Sequence, residues 1–545
     1  MIEVTNENFN TIYPHLECAL KNASFIAIDT ELTGINGDLK NSLFDSINER
    51  YKKQRCNIQP YTIIQFGITV FQRVHNENQY KAEAFNFFLL PRSIPSKNRQ
   101  IVWQIAALEF LTAYEFDFNK HVYKGISYLN ETEQATLQQQ LQKNVLFRHV
   151  ERSVSYKEED ILKDYIIQVS EWLNTASDET SSFKIDTPTP ILQYLMHKEL
   201  RNHFLNVWTL SGNNMVTVIK IQPDSRKVLE QEEGSILENV LLESYIGFSK
   251  VFKLLVTLKK PIIAHNALLD FMFIHKQFYK PLPEKYTDFK NSIHQLFPTI
   301  YDTKFLSFEL RELLSPEEKW KFNSLSGLVQ YFTEKQGRCI LGSPNINLVN
   351  KINTDKSDNI SDVIVPSMKY HTAGWDSYFA GYVFIRMIHA FSLKRNEQGL
   401  TLKHFTHTEL MNNVKSFANC INIIRGSTSH LRLDGHEPES TRPKWLYVKT
   451  LASKRITATQ IAEKMSTFGT VDVKQCTPQR VLVAVANHRS ARDILQHFKQ
   501  NKELYVVPYN PIRHSPSVQF ALWGSIVISS GIFVWMLHQK LQKNS

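Results

Sequence analysis

Short apolar runs alternate with polar stretches along the first quarter of the chain. Phe25-Ile-Ala-Ile-Asp-Thr-Glu-Leu-Thr-Gly34 is an apolar run that ends in two acids and stops at a glycine, the pattern of a buried strand. Runs at 61–71 and 84–90 predict two more strands, the second closed by Pro91, so that three strands form a hairpin-like set. Helical periods cover 131–143 and 247–258, the latter stopped before Pro261. A short buried strand follows at 261–264, then a turn at His265-Asn266 and a helix over 267–278. Residues 348–366, rich in Asn, Asp, Ser and Lys, read as a long mobile loop. The helical period resumes beyond it, placing His371 in the loop and Asp376 on the helix.

Two regions break this rhythm. Residues 145–245 are charged and irregular, an insertion with its own small core around 191–221. Residues 445–509 carry a βαββαβ pattern, with strands at 445–451, 471–476, 481–486 and 504–508 and helices at 457–468 and 490–500, the order of an RRM-like domain. Tyr447 occupies a strand position from which a ring stacks on a base, but the partner strand 480–485 has no aromatic. RNA contact and a pure packing module both remain open for that sheet. Residues 518–537 contain no charge, and 20 residues match a hydrocarbon core of ~30 Å. Trp523, Trp535, Arg513 and Lys540 suit interfacial anchoring. The expectation is a C-terminal transmembrane tail anchor over 517–538, with the preceding residues in the cytosol. Its modest hydrophobicity and basic end point to the mitochondrial outer membrane, with the endoplasmic reticulum membrane second.

Composition sharpens this only a little. A chain of 545 residues exceeds one core and predicts two to four domains. The net charge of +10 suits a polyanionic partner, RNA or anionic membrane. Five cysteines without paired spacing argue against a zinc frame or a disulfide scaffold, and the polar, acidic start resembles no leader peptide. The expected domains are an α/β domain split over 1–144 and 246–400, the insertion at 145–245, and the RRM-like part at 401–510.

Chemistry enters with the acids. Asp29 and Glu31, two apart on a strand, share one face. Buried acids are costly unless paired or metal-bound, so the pair is either a metal site or two groups reaching solvent. Asp270 follows His265 by five residues at a strand-to-helix junction, and His371 and Asp376 repeat that spacing at a loop-to-helix junction. Singly, Asp270 reads equally well as a helix cap and His371 as a loop hydrogen-bonder. His265 and Asn266 read as buttresses of their turn. Jointly, four carboxylates and a histidine suit two Mg²⁺ ions about 3.5–4 Å apart, with Mn²⁺ as substitute. One ion would acidify a water and the other would stabilise a leaving oxygen. His371 would accept the water's proton.

These residues resemble the DEDDh 3′→5′ exonucleases, and within them the poly(A)-specific ribonuclease (PARN) family. The resemblance rests on Asp29-Thr-Glu31, His265-Asn-Ala-Leu-Leu-Asp270 and His371-Thr-Ala-Gly-Trp-Asp376. Glu115-Phe-Asp-Phe-Asn-Lys120, Gly125-Ile-Ser-Tyr-Leu-Asn130, Phe278-Tyr-Lys-Pro-Leu-Pro283 and Asp302-Thr-Lys304 extend it. It implies an RNase H-like mixed sheet with flanking helices, with Asp29, Glu31, Asp270 and Asp376 as metal ligands and His371 as base. It further implies Lys304 on a substrate phosphate, Ile35 lining the nucleotide pocket and Asn266 beside the site. The substrate implied is the 3′ end of single-stranded RNA. Two departures stand out. The insertion lies where the family carries an Arg-x3-His nucleic-acid-binding domain, but Arg201-Asn-His203 misses that spacing. The C-terminal span resembles a membrane-anchored branch of the family. That likeness implies trimming of PIWI-bound piRNA precursors beside a Tudor-domain mitochondrial adaptor. A poly(A) deadenylase and an inactive membrane-tethered RNA scaffold are the competing expectations.

Overall fold

A computed structural model describes residues 1–94, 99–143, 156–175, 181–187, 189–212, 214–316, 319–334, 337, 340, 342–349, 360–361, 369–395, 404–424, 426–451 and 455–542. The chain divides into two compact units, residues 1–38 with 55–422, and residues 39–54 with 423–545.

The first unit is built on a mixed sheet. Its strands run in the order Ile360–Ser361, Asn345–Leu348, Gln79–Phe88, Ile63–Arg73, Phe25–Leu32, Ile262–Ala264 and Ile300–Asp302, with Ile2–Val4 also beside Gln79–Phe88. The Phe25, Ile63 and Gln79 strands pair antiparallel, whereas Ile262–Ala264 and Ile300–Asp302 run parallel to the Phe25 strand. Helix Ala373–Arg395 is apolar on nearly every side because the sheet and other helices cover it. Phe25 stacks on Phe71 at 4.8 Å and meets Phe384 edge-on at 5.4 Å, fixing that helix against the central strands. Each such ring contributes about 1.5–3 kcal/mol on full burial.

Some expected bounds shift. The helix read over 267–278 is an α-helix only at Leu268–Ile274 and then widens into a π-turn, His275–Tyr279. His275 sets that turn, bonding the Lys280 carbonyl and the Ser292 hydroxyl through its two ring nitrogens. The loop read over 348–366 lies largely outside the described residues, but Leu348 and Ile360 pair across two strands.

The insertion is more regular than its composition suggests. Helices Tyr156–Thr175 and Pro190–His203 pack on a three-stranded antiparallel sheet ordered Ser182–Asp186, Met215–Lys220, Val207–Gly212. Leu162, Val169, Ile185, Leu195, Val207 and Val218 are among its core.

The second unit contains the predicted βαββαβ domain. Its antiparallel sheet runs Val471–Thr477, Arg480–Val485, Leu446–Thr450, Leu504–Pro508, and Ala458–Ser466 and His488–His497 cover one face. On the other face lies Tyr447, and the packing reading is the one its surroundings favour. Its ring is buried and lies flat on His514 at 4.4 Å, so the chain itself fills the place of a base. Asp472 accepts bonds from the Ser42 hydroxyl and the Leu43 amide, and Phe44 packs on Trp445 at 5.2 Å. Helix Pro516–Gln542 closes the chain. By length and composition its segment Ser517–Met536, mean hydropathy 1.6 and unburied, is long and apolar enough to cross a membrane.

Candidate active site

The central strand carries the first two acids. Asp29 lies opposite Gly67 and Glu31 opposite Gln65 on the neighbouring strand. A Cβ at Gly67 would collide with the Ala373 carbonyl, so glycine there lets helix Ala373–Arg395 begin directly over the acids. Gln65 and Asn86 complete the join. Their side-chain oxygens accept the Ala373 and Gly374 amides at 2.9 and 3.0 Å, two donors of a helix start that have no partner within the helix.

This junction delivers Asp376 and His371. Asp376 sits in the first helical turn, where the helix dipole favours a carboxylate. Its Oδ2 accepts the His371 amide at 2.9 Å, while its Oδ1 is buried with no hydrogen-bond partner among the described residues. Glu31, His371 and Asp376 each offer a ligand atom, all within 4.8 Å of one another. His371 adopts φ +62°, an uncommon backbone for a side chain-bearing residue. Its ring lies 4.0 Å from that of Tyr114 and 4.7 Å from that of Phe110, and Lys369 pairs with Glu115. Burial holds the His371 imidazole below the ordinary histidine range.

Asp270 comes from the other side of the central strand. Its Oδ1 accepts the Thr30 hydroxyl, and it lies in the first turn of Leu268–Ile274. The preceding turn is held by Asp302, which sequence reasoning missed as an organiser. Asp302 is fully buried and accepts amides from Asn266, Ala267, Lys304 and Asn422 at 2.8–3.3 Å. Its sequence signals are an acid closing a short apolar run, as at Asp29, and its place in the motif Asp302-Thr-Lys304. Asn266, at φ +61°, has its side-chain oxygen taken by Asn422 at 2.7 Å, in keeping with a buttress. His265 bonds Thr303 and is driven down to about 3 by burial, then by Lys304, so it stays neutral. Lys304 is half-buried and donates to the Asn323 carbonyl at 2.6 Å. Ile35 is exposed, its amide bonded to Gln104 at 3.3 Å.

The acids repel one another. Burial, then Asp376 and Asp270, raise Asp29 and Glu31 well above the carboxylate range, with Glu31 adding to the push on Asp29. Burial takes Asp376 up to about 7 against the His371 amide bond, and Asp270 to about 6 against the Thr30 hydroxyl. Four acids held together without a cationic side chain, one with an orphaned oxygen, have the chemistry of a hard divalent-cation site. That donor set can polarise a phosphoryl group and lower the pKa of water.

An acid-lined RNase H-like sheet of this kind has the donor chemistry that metal-assisted phosphodiester hydrolysis uses. Residues 4–384 match the CAF1 family ribonuclease profile. The chain is 31% identical over 544 residues to the "Pre-piRNA 3'-exonuclease trimmer" of Bombyx mori, covering 99% of each protein. It is 26% identical over 549 residues to "Poly(A)-specific ribonuclease PNLDC1" of Mus musculus, covering 98% of this chain and 99% of that protein. It is 27% identical over 410 residues to "Poly(A)-specific ribonuclease PARN" of Xenopus laevis, covering 71% of this chain and 62% of that protein. Pop2p of S. pombe, in its Mg²⁺- and Mn²⁺-bound form, aligns over 74% of this chain and 96% of its own at 12% identity, with a TM-score of 0.34, too low to bear on fold or metal. The chain belongs to the CAF1 family of ribonucleases, on its PARN-like side, and is a 3′→5′ exoribonuclease.

Proposed function

We propose that this exoribonuclease trims the 3′ ends of PIWI-bound piRNA precursors, using Mg²⁺ held by Asp29, Glu31, Asp270 and Asp376. The observation that carries the site is the convergence of these acids beside His371, with an Asp376 oxygen left without a partner. When bound, the ions would neutralise phosphate charge and acidify water. His371 takes the proton of the attacking water. The water oxygen bonds to the last phosphorus, the bond from that phosphorus to the preceding 3′ oxygen breaks, that oxygen takes a proton from solvent to become a hydroxyl, and a 5′ mononucleotide leaves. The shortened RNA keeps a 3′ hydroxyl and re-enters. Lys304 and Ile35 are the proposed contacts to phosphate and terminal nucleotide, with Asn266 holding the turn beside them.

The piRNA assignment draws on the Bombyx mori trimmer, whose likeness runs through the C-terminal helix as well as the nuclease unit. The helix is the proposed tail anchor in the mitochondrial outer membrane, where a Tudor-domain adaptor would present the substrate. The names of the mouse and Xenopus relatives favour a second reading, poly(A) removal. The test is a time course on single-stranded RNA with mixed-sequence or poly(A) 3′ ends, in Mg²⁺ and in EDTA. Trimming is expected as a one-nucleotide ladder in Mg²⁺ only, on both ends, and slower on a 2′-O-methyl end. Strong preference for poly(A) would transfer the assignment to deadenylation.

A further inference from the structure

Helix Thr303–Glu312 buries one face and leaves the other open. Phe305, Leu306 and Leu310 are core, whereas Lys304 is half-buried and Phe308, four residues on and so on the same face, is 46% exposed. The Phe308 ring lies 6.0 Å from the Lys304 ammonium. The helix starts at Asp302, which also holds the turn before Asp270, and His265 bonds Thr303 at 2.9 Å, so Lys304 borders the active site. Residues 319–324 are pinned to this helix twice. Trp320 is buried and donates its indole N–H to the Ser307 carbonyl at 3.1 Å, and the Asn323 carbonyl accepts from Lys304 at 2.6 Å. Between the pins Lys321 and Phe322 face solvent, the ring 64% exposed. Phe322 is also seated from behind. A Cβ at Gly327 would lie 2.6 Å from that of Phe322, so glycine there lets helix Leu325–Glu334 close on its stem. Neither Phe308 nor Phe322 touches another ring, and Lys321 has no hydrogen-bond or ion-pair partner, among the described residues.

We propose that Phe308, Lys321 and Phe322 form a stacking platform for the bases of single-stranded RNA just behind the terminal nucleotide. The proposal rests on the reading of Lys304 as a phosphate contact. The two rings sit on the two segments that hold that ammonium, so a phosphate drawn to Lys304 brings its flanking bases beside them. Every base has a face that stacks on a ring, and Lys321 supplies charge for a neighbouring phosphate. Exposed rings on pinned backbone lose little freedom when a base lands on them. They stay in place while each new terminus advances to the acids.

The test measures removal of the 3′-terminal nucleotide by the full chain in detergent micelles with Mg²⁺. Two substrates are compared, a mixed-sequence strand of about 12 nucleotides and the same strand made abasic at the second to fourth positions from its 3′ end, which keeps every phosphate. Phe308→Ala and Phe322→Ala should each raise KM on the intact strand about tenfold with kcat nearly unchanged, and should leave the abasic strand at its wild-type value. Phe322→Tyr should stay at wild type on both. Lys321→Gln should lower the salt slope of KM by about 0.7 on both strands. Lys304→Gln should raise KM on both strands, because the phosphates remain. Wild-type KM for that variant on the abasic strand would overturn the phosphate reading alone, and the alanine variants would still decide the platform. If an alanine variant melts below wild type, Phe308→Leu and Phe322→Leu decide instead, since leucine keeps the bulk without the flat face. Loss confined to the intact strand supports the platform. Equal losses on the two strands overturn it, and so does wild-type KM on both, which would leave the rings to a protein partner.

Discussion

Two buried polar clusters in the first unit differ in how their charges are met. In the insertion, Arg201 is 8% exposed and every direction of its guanidinium is used. It pairs with Glu233, donates to the Thr209 hydroxyl and carbonyl, and stacks on Trp208 at 3.6 Å. His197, one turn earlier, bonds Thr209 and Ser211, and burial drives it to about 3. At the sheet centre, four acids are held together with no cationic side chain beside them, and an Asp376 oxygen has no partner, among the described residues. A satisfied buried charge specifies a local fold, whereas an unsatisfied one is tolerated because something else binds there. The spacing His197-x3-Arg201, reversed from the family's order, puts both side chains on one helix face turned inward. The insertion therefore does not offer that pair to RNA.

The largest expected effect separates these clusters. Asp376→Asn removes a charge from a set that repels itself, so the metal-free fold should keep or gain stability while turnover falls about a thousandfold or more. Arg201→Ala should do the reverse. It strands Glu233 and Thr209, costing ~3–5 kcal/mol of stability, while the folded fraction keeps its turnover on short RNA. Thermal melts beside single-turnover rates check both. Equal losses of rate and stability in the two variants would erase the distinction.

Much of the candidate site was legible because its residues sit at element ends. Asp29 and Glu31 close an apolar run, and Asp270 and Asp376 follow loops that start helices, so spacing alone put each on the right element. The RRM-like strands were legible from alternation. What supports the site was not. Gln65, Asn86 and Thr30 are ordinary polar residues whose value comes from partners in distant segments. The surroundings of Tyr447 were hidden for the same reason: a strand position reveals which face a ring is on, not that His514 will cover it.

A smaller effect tests whether the acids are a cation site. Asp270 and Asp376 rise from 3.8 to about 6 and about 7, so the folded protein binds protons that the unfolded chain releases. Stability of the metal-free protein is therefore highest below about pH 4 from these groups and is lost as pH rises to about 7. A divalent ion that replaces those protons acts most where they are gone. Mg²⁺ should raise the melting temperature more at pH 8 than at pH 5, with EDTA melts as baseline, and Asp376→Asn should shrink the difference. A Mg²⁺ shift independent of pH would leave the raised acids as mere strain.

The smallest expected effect concerns what holds His371. The satisfied cluster around Arg201 fixes its histidine by hydrogen bonds, but the His371 ring is held by rings. It stands at φ +62° with Tyr114 at 4.0 Å and Phe110 at 4.7 Å, and Lys369–Glu115 ties the loop. A proton acceptor displaced by an ångström loses rate without losing substrate affinity. Tyr114→Leu should lower kcat about tenfold on short RNA with KM nearly unchanged, and Tyr114→Phe should stay near wild type because the ring, not the hydroxyl, does the holding. In a His371→Ala background, Tyr114→Leu should add almost nothing, since residues acting through one group are not additive. An equal further loss in that background would mean that Tyr114 contacts the RNA itself, and the packing on His371 would then be incidental.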